Sequence, residues 1–121
     1  MNKIDKKQPP KKKEIEIFLK QIDFDLPEGF ISFFQQTNGA DIEGEKTYVI
    51  FWPLTDMILL NKEYKVEEFA PNFFVFGSNG GGTAFAIEKV TGHICELPFI
   101  GISQGEAVHR CETFNEFIES I

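Results

Sequence analysis

Three groups of residues have the types and spacing for chemistry. The first is His93-x-Cys95 together with His109-x-Cys111. On a strand, positions i and i+2 share a face, so two suitably paired strands would gather two imidazoles and two thiols around zinc. The spacing is not that of a standard zinc knuckle, and a cysteine is usually a small buried hydrophobe. We therefore expect no metal and no cofactor. The second group is Asp41, Glu43 and Glu45, three carboxylates at alternate positions in a glycine-containing loop. A calcium loop has more ligands, a glycine at a set position and a closing glutamate, none of which this segment reproduces. A solvated loop and a partner-facing acidic loop remain as readings. The third is the run Gly77-x-x-Gly80-Gly81-Gly82. Bare backbone N–H groups can cradle a phosphate, usually between a strand and a helix N-terminus. This spacing is neither G-x-G-x-x-G nor a P-loop, and the residues after it read as a strand. A turn or bulge is the simpler reading, with an exposed protein-binding loop as the alternative. Nucleophilic catalysis needs a base and an orienting group beside the nucleophile. No local pattern provides them, so we expect no enzyme.

The elements that position these groups centre on Phe73–Glu88. Phe73–Phe76 is a run of β-favouring residues, and Thr83–Glu88 alternates with the period of a strand. Thr83, Phe85 and Ile87 share one face; Ala84 and Ala86 share the other, and would let a helix approach closely. Neither face is strongly polar, which places this strand centrally, covered on both sides. Before it, Glu14–Ile22 carries an apolar stripe at Ile15, Phe18, Leu19 and Ile22 and reads as a helix. A second helix is expected from Pro27, with Phe30, Ile31, Phe33 and Phe34 on its apolar face and Asn38-Gly39 at its end. Thr47–Trp52 reads as a strand stopped by Pro53, and Trp52 as a core residue more than an exposed recognition aromatic. Leu54–Tyr64 reads as a helix, with Leu54, Met57, Ile58 and Asn61 along one side. Val90-Thr91-Gly92 signals a hairpin into a strand over His93–Leu97. Ala107–Cys111 is a further short strand. Thr113-Phe114-Asn115-Glu116 fits a capping box opening a C-terminal helix. Consecutive strands joined by short turns imply antiparallel pairing, so the class is α+β.

Composition narrows the function. A chain of 121 residues is one domain by size. Fourteen phenylalanines against two tyrosines and one tryptophan imply a packed aromatic interior. No apolar run approaches the roughly 20 residues of a membrane span, and no apolar segment follows the lysine-rich start as in a signal peptide. Two cysteines are too few for a disulfide scaffold, so we expect reduced thiols and a cytoplasmic protein. Residues 1–13 hold six lysines against Asp5 and read as a disordered, solvated leader with a net charge of +5. The whole chain carries −7, which leaves residues 14–121 at −12. A domain this acidic repels nucleic-acid phosphates and suits a basic partner.

Four segments, taken together, resemble the SUKH superfamily. They are Leu26-Pro27-Glu28-Gly29-Phe30 with Phe33-Phe34 and Asn38-Gly39; Phe51-Trp52-Pro53-Leu54 before a helix reaching Asn61; Phe76–Thr83 followed by alternating residues and Glu88; and Thr113–Ile118. Their order and spacing cover about residues 14–121. Ala40 stands where a second glycine is common, and Glu88 where aspartate is frequent. The resemblance implies a single-domain fold: a mainly antiparallel central sheet packed by N-terminal, middle and C-terminal helices. It also implies a non-catalytic protein-binding role. The superfamily includes fungal cell-wall assembly regulators and bacterial immunity proteins that neutralise toxins, many of them nucleases. The expectation is an immunity protein for a basic toxin, with a regulatory scaffold as the alternative. Candidate contacts are Asp41, Glu43, Glu45, Asp56, Asn79, Gly80, Gly81 and Gly82.

Overall fold

A computed structural model describes residues 3–121. Among these residues the helices are α1 (Lys12–Gln21), α2 (Phe30–Gln36), α3 (Leu54–Glu63), α4 (Val66–Phe69) and α5 (Phe114–Glu119). The strands are β1 (Lys3–Lys6), β2 (Ala40–Glu43), β3 (Tyr48–Phe51), β4 (Phe73–Ser78), β5 (Thr83–Glu88), β6 (Ile94–Pro98) and β7 (Val108–Cys111). The seven strands form one sheet in sequence order, and every neighbouring pair is antiparallel. The α+β class expected from the sequence is the class observed.

Both faces of β5 are buried, as its composition requires: Ala84, Phe85, Ala86 and Ile87 are all enclosed. The helical layer lies on the large-residue face. Phe85 meets Phe117 of α5, and Phe74 meets Phe18 of α1. Phe76 is the residue added by a bulge between Val75 and Gly77, where β4 slips against β5. Its ring enters a cluster of Phe30, Phe51, Phe114 and Phe117, with centroids 5.6–6.0 Å away. Most of the phenylalanines thus pack ring to ring between sheet and helices; Phe69 is instead exposed and Phe99 lies apart from them. Trp52 is buried as expected, stacked on Tyr64 at 5.9 Å and on Phe99 at 6.2 Å.

Helix ends differ from the sequence reading for local reasons. The first helix starts at Lys12 because the Glu14 carboxylate accepts the Lys11 backbone N–H at 2.8 Å, closing the first turn early. The second starts at Phe30, not Pro27: residues 27–29 form a turn in which the Phe30 N–H donates to the Pro27 carbonyl. The C-terminal helix is capped as expected, with the Thr113 hydroxyl accepting the Glu116 N–H at 3.0 Å.

Two larger differences concern the sheet. Asp41 and Glu43 are in a strand, not a loop, because Ala40 and Ile42, which alternate with them, bury against the core. Residues 3–6, expected as disordered leader, form β1 along the outer edge of β2; residues 1–2 of that leader lie outside the described residues. The backbone ladder organises Lys-Ile-Asp-Lys, whose composition alone does not favour order. Thr37 secures the end of this segment: its buried hydroxyl accepts the Lys7 N–H at 2.8 Å and contacts the Gly39 carbonyl.

At the other edge of β3 the ladder to β4 is short. Ile50 and Phe51 pair with Ser78 and Gly77, and the Trp52 N–H adds one bond to the Phe76 carbonyl. The approach is close enough that a Cβ on Gly77 would stand 2.4 Å from the Ile50 carbonyl oxygen. Pro53 then turns the chain into α3, leaving Val75 without a strand neighbour on that side. The Asn61 side chain takes that place. Its Oδ1 accepts the Val75 N–H at 2.9 Å, and its Nδ2 donates to the Val75 carbonyl at 2.8 Å. Asn61 acts as a one-residue strand, which explains a buried polar group on an apolar helix side.

Candidate functional site

Alternation along β2 and β3 sorts their side chains. Val49 and Phe51 join Ala40 and Ile42 on the helix-covered side. The opposite, open side holds Asp41 and Glu43. Register extends that side across three strands: Asp5 and Ile50 flank Asp41, and Lys3 and Tyr48 flank Glu43. Lys3, Asp5, Asp41, Glu43 and Tyr48 line one shallow concavity. Tyr48 is 41% exposed. Partial desolvation, then the charges of Asp41, Glu43 and Asp5, push its hydroxyl above the ordinary tyrosine value. The phenol therefore stays protonated, a hydrogen-bond donor beside three carboxylates.

The glycine turn adjoins this face. Gly80 has φ +81°, a backbone state glycine adopts without strain, and its Cα lies over Tyr48 and Ile50: a Cβ there would be 3.0 Å from the Tyr48 ring. Asn79 Oδ1 accepts the N–H groups of Gly81 (2.8 Å) and Thr83 (3.2 Å), and Ser78 Oγ accepts that of Gly80. The N–H groups of Asn79, Gly80, Gly81 and Thr83 are thus spent inside the turn rather than aimed at a ligand. Of the expected contact residues, Asp41 and Glu43 lie beside Ile50 and Tyr48, against which Gly80 packs; Asn79, Gly81 and Gly82 belong to the same turn as Gly80. Glu45 does not: it lies in the turn after β2 and lines a different hollow with Lys46, Glu119 and Ser120. Asp56 sits apart on the first turn of α3.

Sequence reasoning missed Lys3, Asp5 and Tyr48. The available signal was the alternation Lys3-Ile4-Asp5-Lys6, which matches Ile4 to the buried Ile42 and Asp5 to the open Asp41.

The histidine–cysteine group is divided by a second bulge. Cys95 stands opposite His109, but Cys111 stands opposite Ile94, on the other face. His93 and His109 meet edge to face at 5.1 Å. Among the described residues, no three His, Cys, Asp or Glu side chains are grouped to hold a metal. Arg110, inserted at the bulge, bonds Glu96 at 2.7 Å and Thr47 at 3.1 Å, with Phe85 and Phe117 beneath its guanidinium. This is structural bracing between sheet and α5.

Burial, then Glu88, push the Cys95 thiol up to about 11 from an ordinary 9.0. A rise of that size cuts the thiolate fraction at neutral pH about a hundredfold. Iodoacetamide at pH 8, read by peptide mass spectrometry, should label the half-buried Cys111 first and leave Cys95 unmodified in the folded protein. The folded state holds the Cys95 proton more tightly than the unfolded chain does. That contribution to stability is whole below pH 9 and is lost as pH rises toward about 11.

The fold and site define an α+β domain that carries an open strand face with the carboxylates of Asp5, Asp41 and Glu43. The chain belongs to the SMI1/KNR4 family (SUKH-1), whose model matches residues 9–120. No curated protein matches it. Among the described residues, no helix is long and apolar enough to cross a membrane. Membership fits a protein-binding role and a generally non-catalytic domain.

Proposed function

We propose that the protein is a cytoplasmic immunity protein that binds a basic toxin, of nuclease type, and blocks it. The observation that supports this most is the open face of β1–β3, where Asp5, Asp41 and Glu43 lie side by side. Lys3 shares this face, but the chain as a whole carries −7 and residues 14–121 carry −12. Such a face attracts a cationic surface and speeds the encounter, and salt screens the attraction. Family membership supports a protein partner.

The test is an affinity pull-down from the source cells at low and high salt, read by mass spectrometry. A single basic protein, retained at low salt and lost at high salt, fits the proposal. Several unrelated enzymes would favour a regulatory scaffold. Reversing Asp41 and Glu43 together to lysine should slow association with that partner about tenfold and flatten its salt dependence. Glu45→Lys, off the face, should change the rate less than either single reversal on it. Stopped-flow association kinetics at two ionic strengths would check both.

A further inference from the structure

β1 is an incomplete match for the edge it covers. All four of its residues are exposed, and Ile4, opposite the buried Ile42, is itself 51% exposed. Asp5 stands directly across from Asp41, a like-charge pair that weakens strand pairing. Lys3, by contrast, stands across from Glu43. The family match begins at residue 9, after this strand, so the matched domain includes β2 but not its cover. A bared β2 would present free backbone donors and acceptors, Ile42, and two carboxylates on one face.

We infer that the outer edge of β2 is a strand-docking site, held by β1 in the free protein and taken over by an extended basic segment of a protein partner. The register specifies that segment. It needs a cation opposite Glu43, an apolar residue opposite Ile42 and a cation opposite Asp41. β1 supplies the first two and fails at the third. Backbone bonds would give the affinity, and the alternate side chains the choice of partner. Lys7 and Gln8, bonded to Thr37 and Asn38, stay as the hinge from which residues 3–6 swing away. This inference rests on the reading of the domain as a protein-binding module.

The probe is a synthetic peptide of residues 1–10 carrying Asp5→Lys, added to the full-length protein, with the unsubstituted peptide as control. Amide hydrogen exchange should show β1 losing protection while β2 keeps it. The substituted peptide should reach half-effect at roughly a fivefold lower concentration, since an opposite-charge pair replaces a like-charge one. In full-length Asp41→Lys the preference should invert, with the unsubstituted peptide now the stronger. Full-length Asp5→Lys should hold its own strand and resist both peptides. Unchanged β1 protection in the wild type at millimolar peptide, or equal potency of the two peptides in wild type and Asp41→Lys alike, would overturn the inference. Neither result involves a toxin, so the proposed immunity function would stand or fall separately.

Discussion

Phe76→Ala should lower stability by about 4 kcal/mol, within the usual range for truncating a buried phenylalanine. The ring is fully enclosed and touches four other phenylalanines, drawn from α2, β3 and α5. Those neighbours are themselves rigid rings fixed by other contacts, so the cavity cannot easily collapse. For a chain of 121 residues the loss corresponds to a Tm lower by roughly 15 °C. Phe76→Leu fills most of the space and should cost less than half as much. Thermal unfolding followed by circular dichroism measures both. A Phe76→Ala variant melting within about 4 °C of wild type would mean that the aromatic cluster is not the packed centre described here.

Asn61→Leu should be nearly as damaging, for the opposite reason. Leucine fits the volume and suits a helix, yet it orphans the N–H and C=O of Val75, a residue with no solvent exposure. Each unpaired buried group costs about 1–3 kcal/mol, so the variant should lose about 2–5 kcal/mol despite its greater hydrophobicity. Asn61→Asp separates the two bonds. A carboxylate still accepts the Val75 N–H but faces the Val75 carbonyl without a proton to donate. Its stability deficit should therefore shrink at low pH, where the protonated acid regains the donor. Denaturant titrations of the three proteins at pH 7 and at pH 4 would show this. An Asn61→Leu variant as stable as wild type would remove the strand-substitute role.

The parts of the fold that were legible in the sequence are those where local pattern and burial agree. Thr83–Glu88 is flanked on both sides and apolar on both faces, and the strand observed there has the same six residues. Thr113 announced its helix because a capping hydroxyl acts within three residues. The helix ends shift for local reasons, but the larger misreadings, those of the sheet, share one cause, which is that pairing is not local. Asp41, Glu43 and Glu45 at i, i+2, i+4 look like loop ligands, yet that spacing is also the open face of a strand. Ile42 between them was the clue to β2. Residues 3–6 gain order from a strand 34 to 40 positions away, which no composition rule detects. The candidate site was half legible for the same reason. Asp41, Glu43 and the Asn79–Gly82 turn were named from sequence, but only the sheet shows that Tyr48 joins them, that Asp5 completes the acidic row and that Glu45 and Asp56 stand elsewhere. Asn61 was seen only as the end of an apolar side; its partner lies 14 residues on, across the turn into β4.

The most direct measurement of the proposed function is a titration. The basic protein captured at low salt would be assayed for its toxic activity while this domain is added in increasing amounts. The account predicts that activity falls linearly and is abolished at one equivalent, and that the Asp41→Lys, Glu43→Lys protein needs a large excess to do the same. Undiminished activity with the complex fully formed would contradict inhibition and identify the domain as a scaffold.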